Sequence, residues 1–365
     1  MNTNPFDLIT LLRTVVESNA SDLHLCVDAP PMMRVHGVLQ PIGDRALTPA
    51  FIRALIDGTV SEHQKARLES EWELDLALQI EGLGRFRGNL HSCRGAWEAA
   101  FRHIPAAIPE LGSLGHRKKI FELCGLQRGL VLVTGVTGSG KSTTSAAMIR
   151  HISEHRAGVI VTIEDPVEFV FQNTTGVVKQ REVGSDTRSF AEALRRALRQ
   201  DPDVIFVGEM RDRETVAAAI TAAETGHLVI ATLHTIDAPK SIDRMVDVFP
   251  GDQQPQIIAQ ISNALAAVLS QRLLPREDGC GRVLATELLV MNNGVRACLR
   301  DRRWEQLTGL IEIGGPDGMH TIDDELSGLY LSGAISKEEA VANARDRIRL
   351  ENTYRGSHPH PGSLD

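Results

Sequence analysis

The chain has 365 residues, and its 42% hydrophobic and 24% charged content is typical of a soluble globular protein. Its length exceeds what one hydrophobic core normally supports, so we expect two domains, and a formal net charge of −8 disfavours nucleic acid as the main partner. Because the sequence contains neither a membrane-length apolar run nor a secretory leader pattern, we expect a cytoplasmic protein without direct membrane insertion.

Residues 1–103 predict a small α+β domain of mostly antiparallel strands. Phe6–Ser18 has apolar residues at helical spacing, and Thr48 and Ser61 are plausible N-caps of two further short helices. Proline and glycine residues over 104–115 then indicate a linker. Apolar residues that recur at strand spacing predict strands at Leu23–Val27, Met32–Val35, Trp72–Ile80, Arg85–His91 and Ala96–Ile104.

A glycine-rich loop between a predicted strand, Leu130–Thr134, and a predicted helix, Thr143–Ile152, is the most informative stretch. It fits the pattern G-x-x-x-x-G-K-[ST], in which backbone N–H groups and the helix N-terminus bind phosphate. Lys141 would reach the β- and γ-phosphates of ATP, and the Ser142 hydroxyl would ligate Mg²⁺. The predicted nucleotide-binding residues are Gly135, Val136, Thr137, Gly138, Ser139, Gly140, Lys141, Ser142 and Thr143.

Residues 116–290 alternate between short β-branched runs and helical patterns. Such alternation predicts a doubly wound, nucleotide-binding α/β core, to which Arg282–Val290 could add an edge strand. Beyond it, residues 291–354 predict a helical subdomain, and residues 355–365 predict a disordered tail. The expected core strands are Val159–Ile163, Val204–Val207 and His227–Leu233, and the expected helices are Asp186–Arg199 and Glu214–Thr225.

Acidic residues follow two of these strands, at the end where parallel sheets bind ligands. Glu164 and Asp165 could hold the magnesium ion and its water shell or orient the attacking water; an acidic turn that ends the strand at Pro166 is the alternative. Glu209 follows an apolar strand and is our candidate for the base that polarises the water; the alternative is an exposed loop glutamate.

Two histidines bracket the third strand. His234 lies at its carboxyl end, and is therefore the better placed of the two to touch the γ-phosphate. His227 lies at the other end, which favours a structural role or a subunit contact, although we keep it among the nucleotide-site candidates. Phosphoryl transfer also gains from arginines, often supplied by another subunit, and Arg85, Arg87 and Arg102 lie on strands just before the linker.

These motifs, in this order, resemble the secretion ATPases of type II secretion and type IV pili, and within them the twitching-motility retraction ATPases. Residues 164–166 are similar to the family's Asp box, residues 208–212 to its Walker B region and residues 226–235 to its His box. The resemblance implies a PAS-like N-terminal α+β domain, a RecA-like P-loop ATPase core with C-terminal helices, and a homohexamer that binds ATP between the two. It further implies that the N-terminal arginines complete the nucleotide site and that the ring acts on an inner-membrane platform protein.

The resemblance leaves alternatives open. A helix linked to retraction in the family reads A-I-R-N-L-I-R, whereas Gly294–Arg300 here keeps both arginines but differs at other positions. The chain could therefore be the main retraction motor or an accessory paralogue, with a paralogous retraction ATPase as a possible partner. An assembly ATPase for pilus extension or type II secretion is a further alternative, although such relatives carry four paired cysteines after the His box and this chain has only the isolated Cys280 and Cys298 there. The acidic charge disfavours a nucleic-acid translocase, and the intact motifs disfavour a catalytically silent scaffold.

Overall fold

The computed structural model describes residues 7–35, 37–104, 107–348 and 350. The predicted tail at 355–365 lies outside these residues. By their internal contacts the residues form two compact units. The first comprises Met1–Ile108 together with Pro166–Val170, and the second comprises Pro109–Asp165 and Phe171–Asp365.

Among its described residues the first unit contains three helices and six strands. They are α1 (Leu8–Glu17), β1 (Asp22–Leu25), β2 (Met32–Val35), β3 (Val38–Pro41), α2 (Pro49–Asp57), α3 (Glu62–Glu71), β4 (Glu73–Ile80), β5 (Gly84–Cys93) and β6 (Ala96–Ile104). The strands form one sheet in the order β3-β2-β1-β6-β5-β4, and every pairing is antiparallel, as the sequence predicted.

Local sequence explains where two of these helices begin. The Thr48 hydroxyl accepts a hydrogen bond from the Phe51 amide, and Ser61 forms a capping box with Gln64, so both predicted N-caps are confirmed. The apolar faces of the helices pack on the sheet around Phe86, which is fully buried.

The second unit, in the part that the structure describes, is built on seven strands. Its elements are α4 (Lys118–Cys124), β7 (Gly129–Thr134), α5 (Lys141–His155), β8 (Val159–Glu164), β9 (Val177–Glu182), α6 (Phe190–Ala197), β10 (Val204–Val207), α7 (Arg213–Glu224), β11 (Leu228–Leu233), α8 (Ala238–Asp247), α9 (Gln254–Ala264), β12 (Leu265–Pro275), β13 (Arg282–Val290), α10 (Asn293–Arg300), α11 (Leu307–Ile313), α12 (Ile322–Leu331) and α13 (Lys337–Asn343). The strand order is β13-β12-β7-β11-β10-β8-β9, and only the β12–β13 pairing is antiparallel.

Helices cover both faces of this sheet, which is the predicted doubly wound arrangement. Leu130 and Leu132 of β7 pack in one core with α6 to α10, whereas Val131 and Val133 pack in the opposite core with α4 and α5. A strand covered on both faces needs apolar residues at successive positions, which explains the continuous apolar run that β7 shows in the sequence. The predicted α/β fold class is therefore confirmed.

Two strands of this sheet were not predicted. β9 lies at the sheet edge, and none of its side chains is fully buried, so its charged residues mask the strand pattern. β12 starts at Leu265, directly after the last residue of α9, so no turn signal separates the helix from the strand. The last two helices, α12 and α13, pack in a separate small core, in which Leu326 of α12 packs with Ala285 of β13. In the described part of the chain, no helix has the combination of length and apolarity needed to cross a membrane.

Candidate active site

Four neighbouring parallel strands bring the predicted motifs to one edge of the second unit. In the sheet order β7-β11-β10-β8, the glycine loop follows β7, His234 follows β11, Glu209 lies just after β10, and Glu164 ends β8. The register aligns these ends, because Val207 pairs with both Ala231 and Ile163. The carboxyl edge of an open parallel sheet is where such folds bind ligands.

The first glycine of the glycine loop lies where a side chain would be obstructed. Gly135 has φ +147°, and a Cβ atom added to it would lie 2.4 Å from Ser139 Oγ and 2.5 Å from the Gln271 carbonyl oxygen. Lys141 is buried at the start of α5, and its Nζ donates to the carbonyl oxygens of Gly135 (2.7 Å) and Val136 (3.0 Å). The ammonium group and the helix N-terminus therefore supply positive potential at the same place, as phosphate binding requires.

A buried polar network that the sequence did not predict supports the start of α5. Thr144 Oγ1 accepts a hydrogen bond from Gln271 Nε2 (2.8 Å) and lies 3.0 Å from His116 Nε2. Burial lowers the pKa of His116 to about 4, so its imidazole is neutral at pH 7 and can accept a hydrogen bond from the Thr144 hydroxyl. The three residues come from distant parts of the chain, and no local motif contains them.

Two buried histidines make stability sensitive to acid. Burial lowers the pKa of His320 to about 4 as well, with Arg117 adding to the effect, and its Nε2 lies 2.8 Å from Thr286 Oγ1. Between their ordinary pKa of 6.5 and about 4, the unfolded chain binds protons that the folded chain does not. We therefore expect urea denaturation to show that each histidine lowers the free energy of unfolding by about 2 kcal/mol between pH 7 and pH 5.

The matched variants are His116→Gln and His320→Gln, in which the side-chain amide can take the place of imidazole Nε2 and its oxygen can accept the threonine hydroxyl hydrogen bond. Each should reduce the loss of stability between pH 7 and pH 5, whatever its effect at pH 7. A double variant that loses as much stability as the parent over this interval would contradict the assignment.

Glu164 is buried at the end of β8. Its Oε1 accepts hydrogen bonds from Thr162 Oγ1 (2.6 Å) and Gln180 Nε2 (3.2 Å), whereas the next residue, Asp165, is exposed. No group of three or more histidine, cysteine or acidic residues in the described ranges could hold a metal ion. A magnesium ion that arrives with ATP needs only one or two protein oxygens, because phosphates and water supply the others, and the Ser142 hydroxyl and these carboxylates are suitable donors.

Glu209 is held by two side chains. Its Oε1 accepts a hydrogen bond from Arg211 Nε (2.5 Å) and lies 3.1 Å from His234 Nε2. The hydrogen bond to Glu209 raises the pKa of Arg211 above its ordinary value. Arg211 lies within the Walker B-like motif but is not among the predicted site residues, because residues 209–212 form an irregular segment in which no periodicity indicates where a side chain points.

His227 lies at the opposite edge of the sheet. Its Nδ1 is 3.0 Å from the Ala222 carbonyl oxygen, and its own carbonyl accepts a hydrogen bond from the Gly129 amide at the start of β7. The six residues of β11 separate it from His234. The structure therefore places the two histidines at opposite strand ends, as predicted, and does not bring His227 together with Lys141.

The three predicted arginines of the first unit all have partners within that unit. Arg85 Nε donates to the Val167 carbonyl oxygen (2.7 Å), and Arg87 Nη1 lies 3.7 Å from Glu168 Oε1. Both partners belong to the segment Pro166–Val170, which directly follows Glu164 and Asp165 in the chain.

The third arginine, Arg102, donates from Nε to Asp22 Oδ1 at 2.8 Å, and its side chain is 69% exposed. Burial acts to raise the pKa of Asp22, but hydrogen bonds from Ser21 and Arg102 outweigh it and hold the pKa below its ordinary value. The Arg102 side chain is more exposed than that of Arg87, which is 41% exposed.

Comparison with known proteins agrees with this geometry. The family described as "Type II/IV secretion system protein" matches residues 7–314. The chain is 42% identical to the type IV pilus retraction ATPase PilT of Pseudomonas aeruginosa, over 95% of this chain and 100% of PilT. It is 38% identical to the type IV pilus ATPase PilU of the same organism, over 92% of this chain and 87% of PilU. A crystal structure of the pilus retraction motor PilT with bound ADP is similar with a TM-score of 0.88 and 44% identity, covering 95% of this chain and 99% of that one. The chain therefore belongs to the type II/IV secretion system protein family.

Proposed function

We propose that this protein is an ATP-hydrolysing motor that powers type IV pilus retraction. The observation that supports the proposal most is the meeting of the glycine loop, Glu164, Glu209 and His234 at one sheet edge. Similarity to PilT over almost the whole of both chains favours retraction of the pilus rather than its extension, because PilT is a retraction ATPase.

In the proposed reaction MgATP is the substrate, and water attacks the γ-phosphorus to give ADP and phosphate. The glycine loop and Lys141 would bind the phosphates. Ser142, Glu164 and Asp165 would bind the magnesium ion directly or through its water shell. Glu209 accepts the proton of the attacking water, and His234, which contacts Glu209, is adjacent to the γ-phosphate.

We further propose that six copies form a ring in which the first unit of one subunit completes the nucleotide site of another. Arg85, Arg87 and Arg102 would meet the charge that develops on the transferred phosphoryl group. The exposure of Arg102 favours it as the residue that reaches across a subunit boundary. The ring would work in the cytoplasm, at the inner membrane, through a platform protein of the pilus machinery.

An accessory retraction ATPase is the second candidate, because the chain is also similar to PilU, a further type IV pilus ATPase of the organism that has PilT. The departure at Gly294–Arg300 from the family pattern points the same way. In α10, Arg296 donates to the carbonyl oxygens of Ser262 and Asn263 at the end of α9, whereas Arg300 is exposed. One of the two arginines that match the pattern is thus used inside the subunit.

The test is deletion of the gene in its own host, followed by scoring of surface pili and twitching. Excess pili without motility would support the main retraction motor, and loss of pili would contradict retraction in favour of assembly. Normal pili with reduced but persistent twitching would favour the accessory candidate. Complementation with the Lys141→Ala variant should fail in either retraction case, because the ring would lack ATP hydrolysis.

A further inference from the structure

One oxygen of Glu209 receives both of its contacts. Arg211 Nε donates to Oε1, and His234 Nε2 lies close to the same atom. No hydrogen bond to Oε2 is found within the ranges that the structure describes, and the side chain of Glu209 retains 19% exposure. The carboxylate is therefore held from one side and has its second oxygen available to solvent.

The Arg211–Glu209 ion pair adds little to the stability of the folded state. The Arg211 side chain is 77% exposed, and exposed ion pairs contribute on the order of 1 kcal/mol or less to folding. The contact instead restricts the rotation of a carboxylate that lies on an irregular segment, where no helix or strand restricts it. A misplacement of about 1 Å in a reacting group can cost up to about 100-fold in rate, so such a restriction matters for a base.

We propose that Arg211 is a positioning residue, which together with His234 holds Oε1 of Glu209 and so leaves Oε2 to accept the proton of the attacking water. The inference rests on the proposed role of Glu209 as the base. It differs from a direct action of Arg211 on the phosphates, because the arginine acts only through Glu209. It also gives His234 a second role besides its place near the γ-phosphate. Its Nε2 carries a proton and donates a hydrogen bond to the carboxylate of Glu209.

The first experiment measures kcat and KM for ATP in the full-length ring for Arg211→Ala, Arg211→Lys and the control Arg213→Ala. Arg213 is also exposed, two residues further on, and pairs with Glu214 at 3.1 Å, so its loss removes a similar charge without touching Glu209. We expect Arg211→Ala to lower kcat about tenfold with KM within about twofold, because His234 still holds the carboxylate. Arg211→Lys should recover part of the rate, and Arg213→Ala should match the parent.

The second experiment adds Arg211→Ala to Glu209→Gln and measures the residual turnover with labelled ATP. A residue that acts only through Glu209 has no further effect once the base is gone, so the double variant should equal Glu209→Gln. If Arg211→Ala lowers the rate by the same factor in both backgrounds, or leaves the parent rate unchanged, the inference is overturned while the role of Glu209 stands. If Glu209→Gln itself retains turnover, the proposed base is wrong and the inference fails with it.

Discussion

Glutamine at position 209 is expected to lower ATP turnover by at least about 100-fold and to leave nucleotide affinity within about twofold. The amide has the shape of the carboxylate and keeps an oxygen that can accept from Arg211, but it cannot take a proton from water. Turnover is measured as phosphate release at saturating ATP, and affinity is measured with a fluorescent ATP analogue.

The matched control for this variant is Glu214→Gln. Glu214 is an exposed glutamate in the first turn of α7, close to Glu209 in the chain, and it forms an ion pair with Arg213. Its replacement should change neither turnover nor affinity. Turnover of Glu209→Gln within about threefold of the parent would rule out Glu209 as the base, and equal losses of turnover and affinity would assign it to binding instead.

Alanine at position 135 is expected to weaken ADP binding by at least about 100-fold, which is about 3 kcal/mol. The added Cβ would lie 2.5 Å from the Gln271 carbonyl oxygen, which belongs to the backbone of β12 and cannot move without disturbing the sheet. The loop must shift instead, and its N–H groups then no longer converge on the phosphates.

Gly138→Ala provides the comparison within the same loop. Gly138 also has a positive φ, +81°, but a Cβ atom there would meet nothing within 4 Å. The Gly138→Ala variant should therefore be destabilised only by backbone strain, about 1–2 kcal/mol, and not by a steric clash. Affinity for a fluorescent ADP analogue and thermal unfolding should be measured for both variants. Equal affinities in the two would show that the contact with β12 does not shape the loop.

The architecture followed from the sequence where local patterns were strong. The glycine loop between β7 and α5 identified the core, and caps such as Ser61 located helix starts within a residue or two. β12 was missed because it continues an apolar helix without a break. The predicted family resemblance is confirmed by the match over residues 7–314 and by the similarity to PilT.

Within the site, the sequence predicted the residues that lie in contiguous motifs. It did not predict the residues that form hydrogen bonds with the side chains of those motifs. Lys141 and Glu209 stand in recognisable segments, whereas Gln271 and His116 reach Thr144 from elements far away in the chain. Arg211 was within a motif, but its contact depends on a backbone path that follows no regular period. Such pairings are set by tertiary packing, which one sequence does not display.

The short segment Pro166–Val170 has a practical consequence for protein production. It is part of the first unit although the chain reaches it only after β8 of the second, and it buries Val167 and Phe169. A recombinant fragment truncated after residue 108 would lack the carbonyl that receives the Arg85 hydrogen bond. Such a fragment should be aggregation-prone unless those five amino acids are grafted back through an engineered connection.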